Sequence, residues 1–141
     1  MISIHSHLAK NPKYNLWLIH GYGESHTCFE QAHKNPLAME ANIFSFDLPG
    51  FGDAPLITSG YEVYLHELTQ RIEAQNADLP CVILGHSMGG IFATLLAAQL
   101  KIPRMILLVS IAPYPAINLR LPTVILETPH PKPSRIIYYL N

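Results

Sequence analysis

Apolar residues fall in short, nearly unbroken runs along most of the chain: LWLI at 16–19, IFSF at 43–46, CVIL at 81–84 and MILLV at 105–109. Runs of this length between turn residues predict strands buried on both faces. Residues 1–8 behave differently. There Ile2, Ile4 and Leu8 alternate with polar positions, which predicts an edge strand. Residues 61–76 carry Tyr61, Tyr64, Leu65, Leu68 and Ile72 at the spacing of one helix face. Residues 91–100 read as a nearly all-apolar helix, and residues 27–41 as a helix interrupted at Pro36. The last stretch holds Pro113, Pro115, Pro122, Pro129, Pro131 and Pro133. It leaves room for short strands at 123–126 and 136–140, with no useful helix between them.

Strand, loop and helix in repetition, with apolar strands, predict an α/β domain: a mostly parallel sheet flanked by helices on both faces. Residues 1–141 make a single domain, with 114–141 a proline-rich tail. Ligands of such sheets bind beyond the carboxyl ends of the strands. Three glycine loops, HGYG at 20–23, DLPGFG at 47–52 and GHSMGG at 85–90, follow the predicted strands at those ends. The pattern by itself places a site there.

Composition narrows the class. The chain of 141 residues is 49% hydrophobic and 13% charged, with a formal net charge of −1. Its basic residues are scattered, so no nucleic-acid surface is expected. The most apolar stretch, residues 81–100, is broken by glycines and is too short to span a membrane. The N-terminus lacks the apolar core of a secretory signal. Cys28 and Cys81 are far apart, form no metal-spaced pair and read as reduced thiols of a cytoplasmic protein. No metal and no cofactor are expected, and no oligomeric state is set.

Gly85-His86-Ser87-Met88-Gly89 matches the G-x-S-x-G turn that exposes a nucleophilic serine between a strand and a helix. The bare pattern arises by chance in roughly one chain in twenty of this length, so the strand before it and the helix after it carry much of its weight. The serine backbone is expected to be strained, and the positions two before and two after it to admit only very small residues. Gly85 and Gly89 occupy them. The competing reading is an ordinary glycine turn with an idle serine. A phosphate-binding loop is excluded by spacing and by the absence of lysine after Gly90. His26 stands where a dinucleotide fingerprint after HGYG needs its third glycine.

The motifs LWLIHGYG (16–23), FSFDLPGFG (44–52) and VILGHSMGG (82–90), with the strand at 104–113, resemble the N-terminal half of an α/β-hydrolase. HGYG followed by GHSMGG is most similar to the serine esterase and acyl-hydrolase branch. Carbon–carbon bond hydrolases and cofactor-free haloperoxidases share the pattern, whereas dehalogenases and epoxide hydrolases carry Asp in place of Ser87. The resemblance implies Ser87 as catalytic nucleophile, an oxyanion hole of the Tyr22 and Met88 N–H groups, and Gly21 and Gly23 as supporting loop glycines. It implies a small-molecule ester or acyl substrate.

Other residues near the motifs read as structural. His86 cannot face its neighbour Ser87 as a base, and His20 is expected to anchor its loop. Asp47 holds its loop in the family, and Asp53 is solvated. Tyr22 and Phe51 are equally good as pocket lining or as packing, and Cys28 is read as packed. A triad needs an acid and then a histidine after the nucleophile. Glu127 and His130 are weak candidates, close together in a proline-rich context, so the chain reads as C-terminally truncated with little turnover of its own. A non-catalytic binding protein is the alternative. If residues 105–109 form the last parallel strand, its outer edge is bare and prone to aggregation.

Overall fold

A computed structural model describes residues 2–58, 60–76 and 78–102, together with strands at 104–110 and 136–140. Six strands form one sheet: β1 (Ile4–His7), β2 (Tyr14–Ile19), β3 (Ala41–Phe46), β4 (Cys81–His86), β5 (Arg104–Ser110) and β6 (Ile136–Leu140), in the order β1-β3-β2-β4-β5-β6. All neighbours are parallel except β1, which runs antiparallel along β3 at the edge, with Ile4 opposite Phe46 and His7 opposite Ile43. The edge strand and the parallel core match the sequence pattern. Glu127, His130 and the expected strand at 123–126 lie outside the described residues.

The outer edge of β5 is covered. β6 pairs alongside it in parallel, from Ile106 opposite Ile136 to Ser110 opposite Leu140. This corrects the expectation of a bare edge.

Two α-helices, α1 (Tyr61–Gln75) and α2 (Met88–Gln99), pack on the same sheet face. Alternate residues of the central strands meet them: Trp17 and Ile19 of β2, Phe44 and Phe46 of β3, and Ile83 of β4. Tyr64, Leu65, Leu68 and Ile72 of α1 form the buried stripe that the helical spacing predicted. Tyr61 lies outside that stripe, 52% exposed and edge-on to Phe92. α2 buries Gly89, Phe92, Ala93, Leu96 and Ala97 but leaves Ile91 and Leu95 exposed, so not all of its apolar residues enter the core.

The second face departs from expectation. Residues 27–41 hold three single-turn 3-10 helices, His26–Phe29, Ala32–Lys34 and Pro36–Ala38, in place of one α-helix. Asn35 precedes Pro36 and is extended, with φ −74° and ψ 130°. A residue before proline is pushed out of the helical region by the pyrrolidine ring. Leu18, Ala41 and Ile43 face this side, with Phe29 and Ala32 packed against them. A polar network closes the opposite end of the sheet, where the buried Asn15 amide donates to Asn76 and the Asn42 amide donates to Asn15.

Candidate active site

β2, β3 and β4 are parallel neighbours, so the three loops that follow them emerge at one end of the sheet. HGYG leaves β2, DLPGFG leaves β3, and Ser87 separates β4 from α2. This is where the sequence pattern placed a site.

Ser87 is exposed, with φ 51° and ψ −116°. Among the described residues it alone has a positive φ without being glycine. A conformation of that kind costs of order 1–3 kcal/mol and persists only where the surroundings impose it. The surroundings here are backbone. A Cβ on Gly85 would overlap the Gly89 carbonyl, and a Cβ on Gly89 would overlap the carbonyl oxygens of Ile19 and His20. The first turn of α2 therefore lies directly against the end of β2, where the HGYG loop begins. This contact also explains why α2 starts at Met88 and not at Ile91, with two poor helix formers, Gly89 and Gly90, in its first turn. Met88 packs its partly buried side chain against the core.

Hydrogen bonds fix the roles of the nearby histidines. His20 is fully buried, and its Nε2 accepts the Leu48 N–H at 2.8 Å. The remaining proton therefore lies on Nδ1, which donates to the Gly21 carbonyl at 2.8 Å. Both ring nitrogens are committed, so the 3.9 Å approach of Nε2 to Asp47 is no ion pair. His20 is a loop anchor. His86 donates through Nδ1 to Glu24 Oε2 at 2.9 Å, and the same oxygen accepts the Gly21 N–H at 2.7 Å. One carboxylate thus ties the HGYG loop to the strand that carries Ser87. The His86 bond first, then the Gly21 N–H, hold the Glu24 carboxyl below its ordinary range. A Cβ on Gly21 would stand 2.9 Å from both Glu24 Oε2 and His86 Nδ1, so this tie requires glycine there. The sequence reading missed Glu24, because its partner lies 62 positions away.

Asp47, 4% exposed, organises the DLPGFG loop. Its carboxylate accepts the N–H groups of His26 (2.6 Å) and Asp53 (2.9 Å) and the His26 ring N–H (2.8 Å). The Tyr64 hydroxyl donates to its carbonyl at 2.7 Å. Burial pushes the Asp47 carboxyl up, but these three donors outweigh it and hold the group below its ordinary value. A folded-state pKa below the unfolded one stabilises the fold above the unfolded value and loses that contribution as pH falls. Asp47→Asn is expected to cost about 2 kcal/mol at pH 7, because an amide nitrogen then faces N–H donors. The gap between wild type and Asp47→Asn should shrink below pH 3.8, the ordinary value. Urea unfolding midpoints from pH 7 to pH 2.5 measure it, and a gap constant over that range refutes this role.

Tyr22 is 79% exposed at the sheet end and meets Phe51 edge-on at 5.5 Å. Gly23 follows it with φ 76°. Asp53 is exposed, as expected. Cys28 is exposed, which corrects the expectation that it is packed. Burial at its thiol and the nearby Glu24 and Asp47 charges push it up to about 11, so it stays protonated at neutral pH. Cys81 is buried at the start of β4. Among the described residues no helix is long and apolar enough to cross a membrane.

A mostly parallel sheet with an exposed, positive-φ serine between β4 and α2 defines an α/β-hydrolase. The chain belongs to the family described as serine aminopeptidase, S33, which matches residues 10–140. It is 30% identical over 94 residues to monoglyceride lipase of Homo sapiens, covering 62% of this chain and 31% of that protein. It is 34% identical over 84 residues to pimeloyl-[acyl-carrier protein] methyl ester esterase of Neisseria meningitidis serogroup C, covering 60% of this chain and 31% of that one. The crystal structure of an α/β superfamily hydrolase from Oenococcus oeni superposes with a TM-score of 0.62 at 24% identity, over 76% of this chain and 40% of that one. The chain spans about a third of the length of these curated relatives.

Proposed function

We propose that this chain carries the nucleophile and oxyanion hole of a serine hydrolase acting on a carboxylic ester or thioester. The observation that carries the reading is the exposed Ser87 at φ 51°, held by the backbone contacts of Gly85 and Gly89. In this mechanism Ser87 Oγ attacks the acyl carbonyl as its proton passes to a base. The carbonyl oxygen becomes an oxyanion, which the Tyr22 and Met88 N–H groups stabilise by about 3–4 kcal/mol per donor. The tetrahedral intermediate expels the alcohol or thiol, which takes up the proton. Water then releases the acid from the acyl-enzyme and restores the serine. The ester substrate class follows the names of the two curated relatives, a lipase and a methyl ester esterase. A small-molecule substrate and a cytoplasmic setting belong to the same reading.

A non-catalytic binding protein is the second reading. It is favoured by the commitment of both nitrogens of His20 and of His86 Nδ1 to structural partners, which leaves neither as an evident base. Within this chain Glu127 and His130 are only weak candidates for the acid and base of the first reading. A fluorophosphonate probe separates the two, because it phosphonylates only an activated serine. The expected result is a single adduct mapped by mass spectrometry to the peptide containing Ser87. Folded protein that remains unlabelled supports the binding protein.

A further inference from the structure

Beside the loops just described lies a second cluster of reactive side chains. His5 of β1, His26 after the HGYG loop, Asp47 at the end of β3 and Asp53 in the DLPGFG loop each offer one donor atom, and these atoms lie within 4.8 Å of one another. We propose that these four residues form a binding site for a divalent transition-metal ion, with Zn²⁺ as the ion that the donor set fits. The proposal is independent of the reading of Ser87.

Four observations support it. Two imidazoles and two carboxylates are a donor set suited to zinc. His5 Nε2 is a buried polar atom with no hydrogen-bond partner. A buried, unpaired nitrogen of this kind is unfavourable unless something else pairs with it. The burial is also graded as a site requires: Asp47 is buried, His5 and His26 are half-buried, and Asp53 is exposed. Finally, the four residues line two clefts. His5 and His26 line a cleft of about 320 Å³, and Asp47 and Asp53 line another of about 180 Å³.

The geometry also says what must move. The His5 and His26 rings are stacked at 3.5 Å with 4° between their planes. Zinc–nitrogen bonds of about 2.0–2.1 Å put the donors of a tetrahedral site about 3.3–3.4 Å apart, close to the ring spacing. Nitrogen lone pairs lie in the ring planes, however, and parallel planes do not converge on one point. Binding therefore tilts the stack, draws in the exposed Asp53 carboxylate and displaces the Nδ1–H that His26 donates to Asp47, its proton then lying on Nε2. The Asp53 N–H keeps its bond to Asp47 during such a motion, because only the side chain rotates. The bound ion would join the edge strand to two loops at the Ser87 end of the sheet.

The test is titration of the full chain with Co²⁺, read by visible absorption, and with Zn²⁺, read by calorimetry and thermal unfolding. A 1:1 complex with tetrahedral cobalt bands and a raised Tm is expected. His5→Ala and Asp53→Asn should each weaken binding at least about tenfold. His5→Ala alters the edge strand, whereas Asp53→Asn changes an exposed carboxylate and leaves the fold intact, so the second variant decides if the first is unstable. His7→Ala and His33→Ala, which change histidines of the same cleft, should bind as wild type does. Absence of 1:1 binding overturns the site. So does binding that survives both His5→Ala and Asp53→Asn, or that is lost with His7 or His33.

Discussion

Replacing Gly89 with valine is expected to leave the protein unfolded. Any side chain at this position overlaps the carbonyl oxygens of Ile19 and His20. Relief cannot come from a rotamer change, because the obstruction is main chain. β2 cannot withdraw either, being hydrogen-bonded to β3 on one side and β4 on the other. Inserting even a methylene into a packed core costs about 1–3 kcal/mol, and here the clash is with a central strand. Against a domain stability of about 5–15 kcal/mol, Gly89→Val should exceed what the fold tolerates, and Gly89→Ala should cost more than about 3 kcal/mol. Gly23 is the control. It has φ 76° but nothing within 4 Å of an added Cβ, so Gly23→Ala should cost only the left-handed backbone strain of about 1–2 kcal/mol. Circular dichroism and urea unfolding of the three variants measure this. Equal losses at positions 23 and 89 would mean that α2 does not press on β2 as described.

The second large effect is on activity. If Glu127 and His130 complete a triad in this chain, Ser87→Ala is expected to lower p-nitrophenyl ester hydrolysis by about 10³-fold or more, to the level left by the oxyanion hole; if they do not, wild type and Ser87→Ala should both stay near that level. Triad members act as a unit, so deleting one removes nearly as much rate as deleting all. His130→Ala should therefore match Ser87→Ala if His130 is the base. His20→Ala should instead show itself first in stability, since it removes the acceptor for Leu48 N–H and the donor to Gly21. Clear ester turnover by the wild-type chain that is unchanged in Ser87→Ala, with the fold intact by circular dichroism, would remove the serine from the mechanism.

Much of this molecule was legible in local pattern. Continuous apolar runs predicted the parallel strands, alternation predicted the edge strand β1, and the stripe of residues 61–76 predicted α1, because strand and helix periods are local properties of the chain. The glycine spacing around Ser87 likewise announced a strained turn, since the close approach of Gly85 to Gly89 falls within five consecutive residues. Residues 27–41 misled, because helix propensity around Pro36 lost to the pre-proline restriction at Asn35 and to short packing against Leu18 and Ile43.

What the tertiary structure decided is which distant residues meet. Gly89 requires glycine because β2, some seventy positions earlier, lies against it. Glu24 matters because a parallel sheet brings the end of β4 beside the loop after β2. His5, His26, Asp47 and Asp53 converge because β1 pairs antiparallel with β3, which lays an N-terminal histidine over the DLPGFG loop. Sequence periodicity records the direction in which each side chain points within its own element. Strand order and register set its partners, and those follow from packing the whole sheet against its helices.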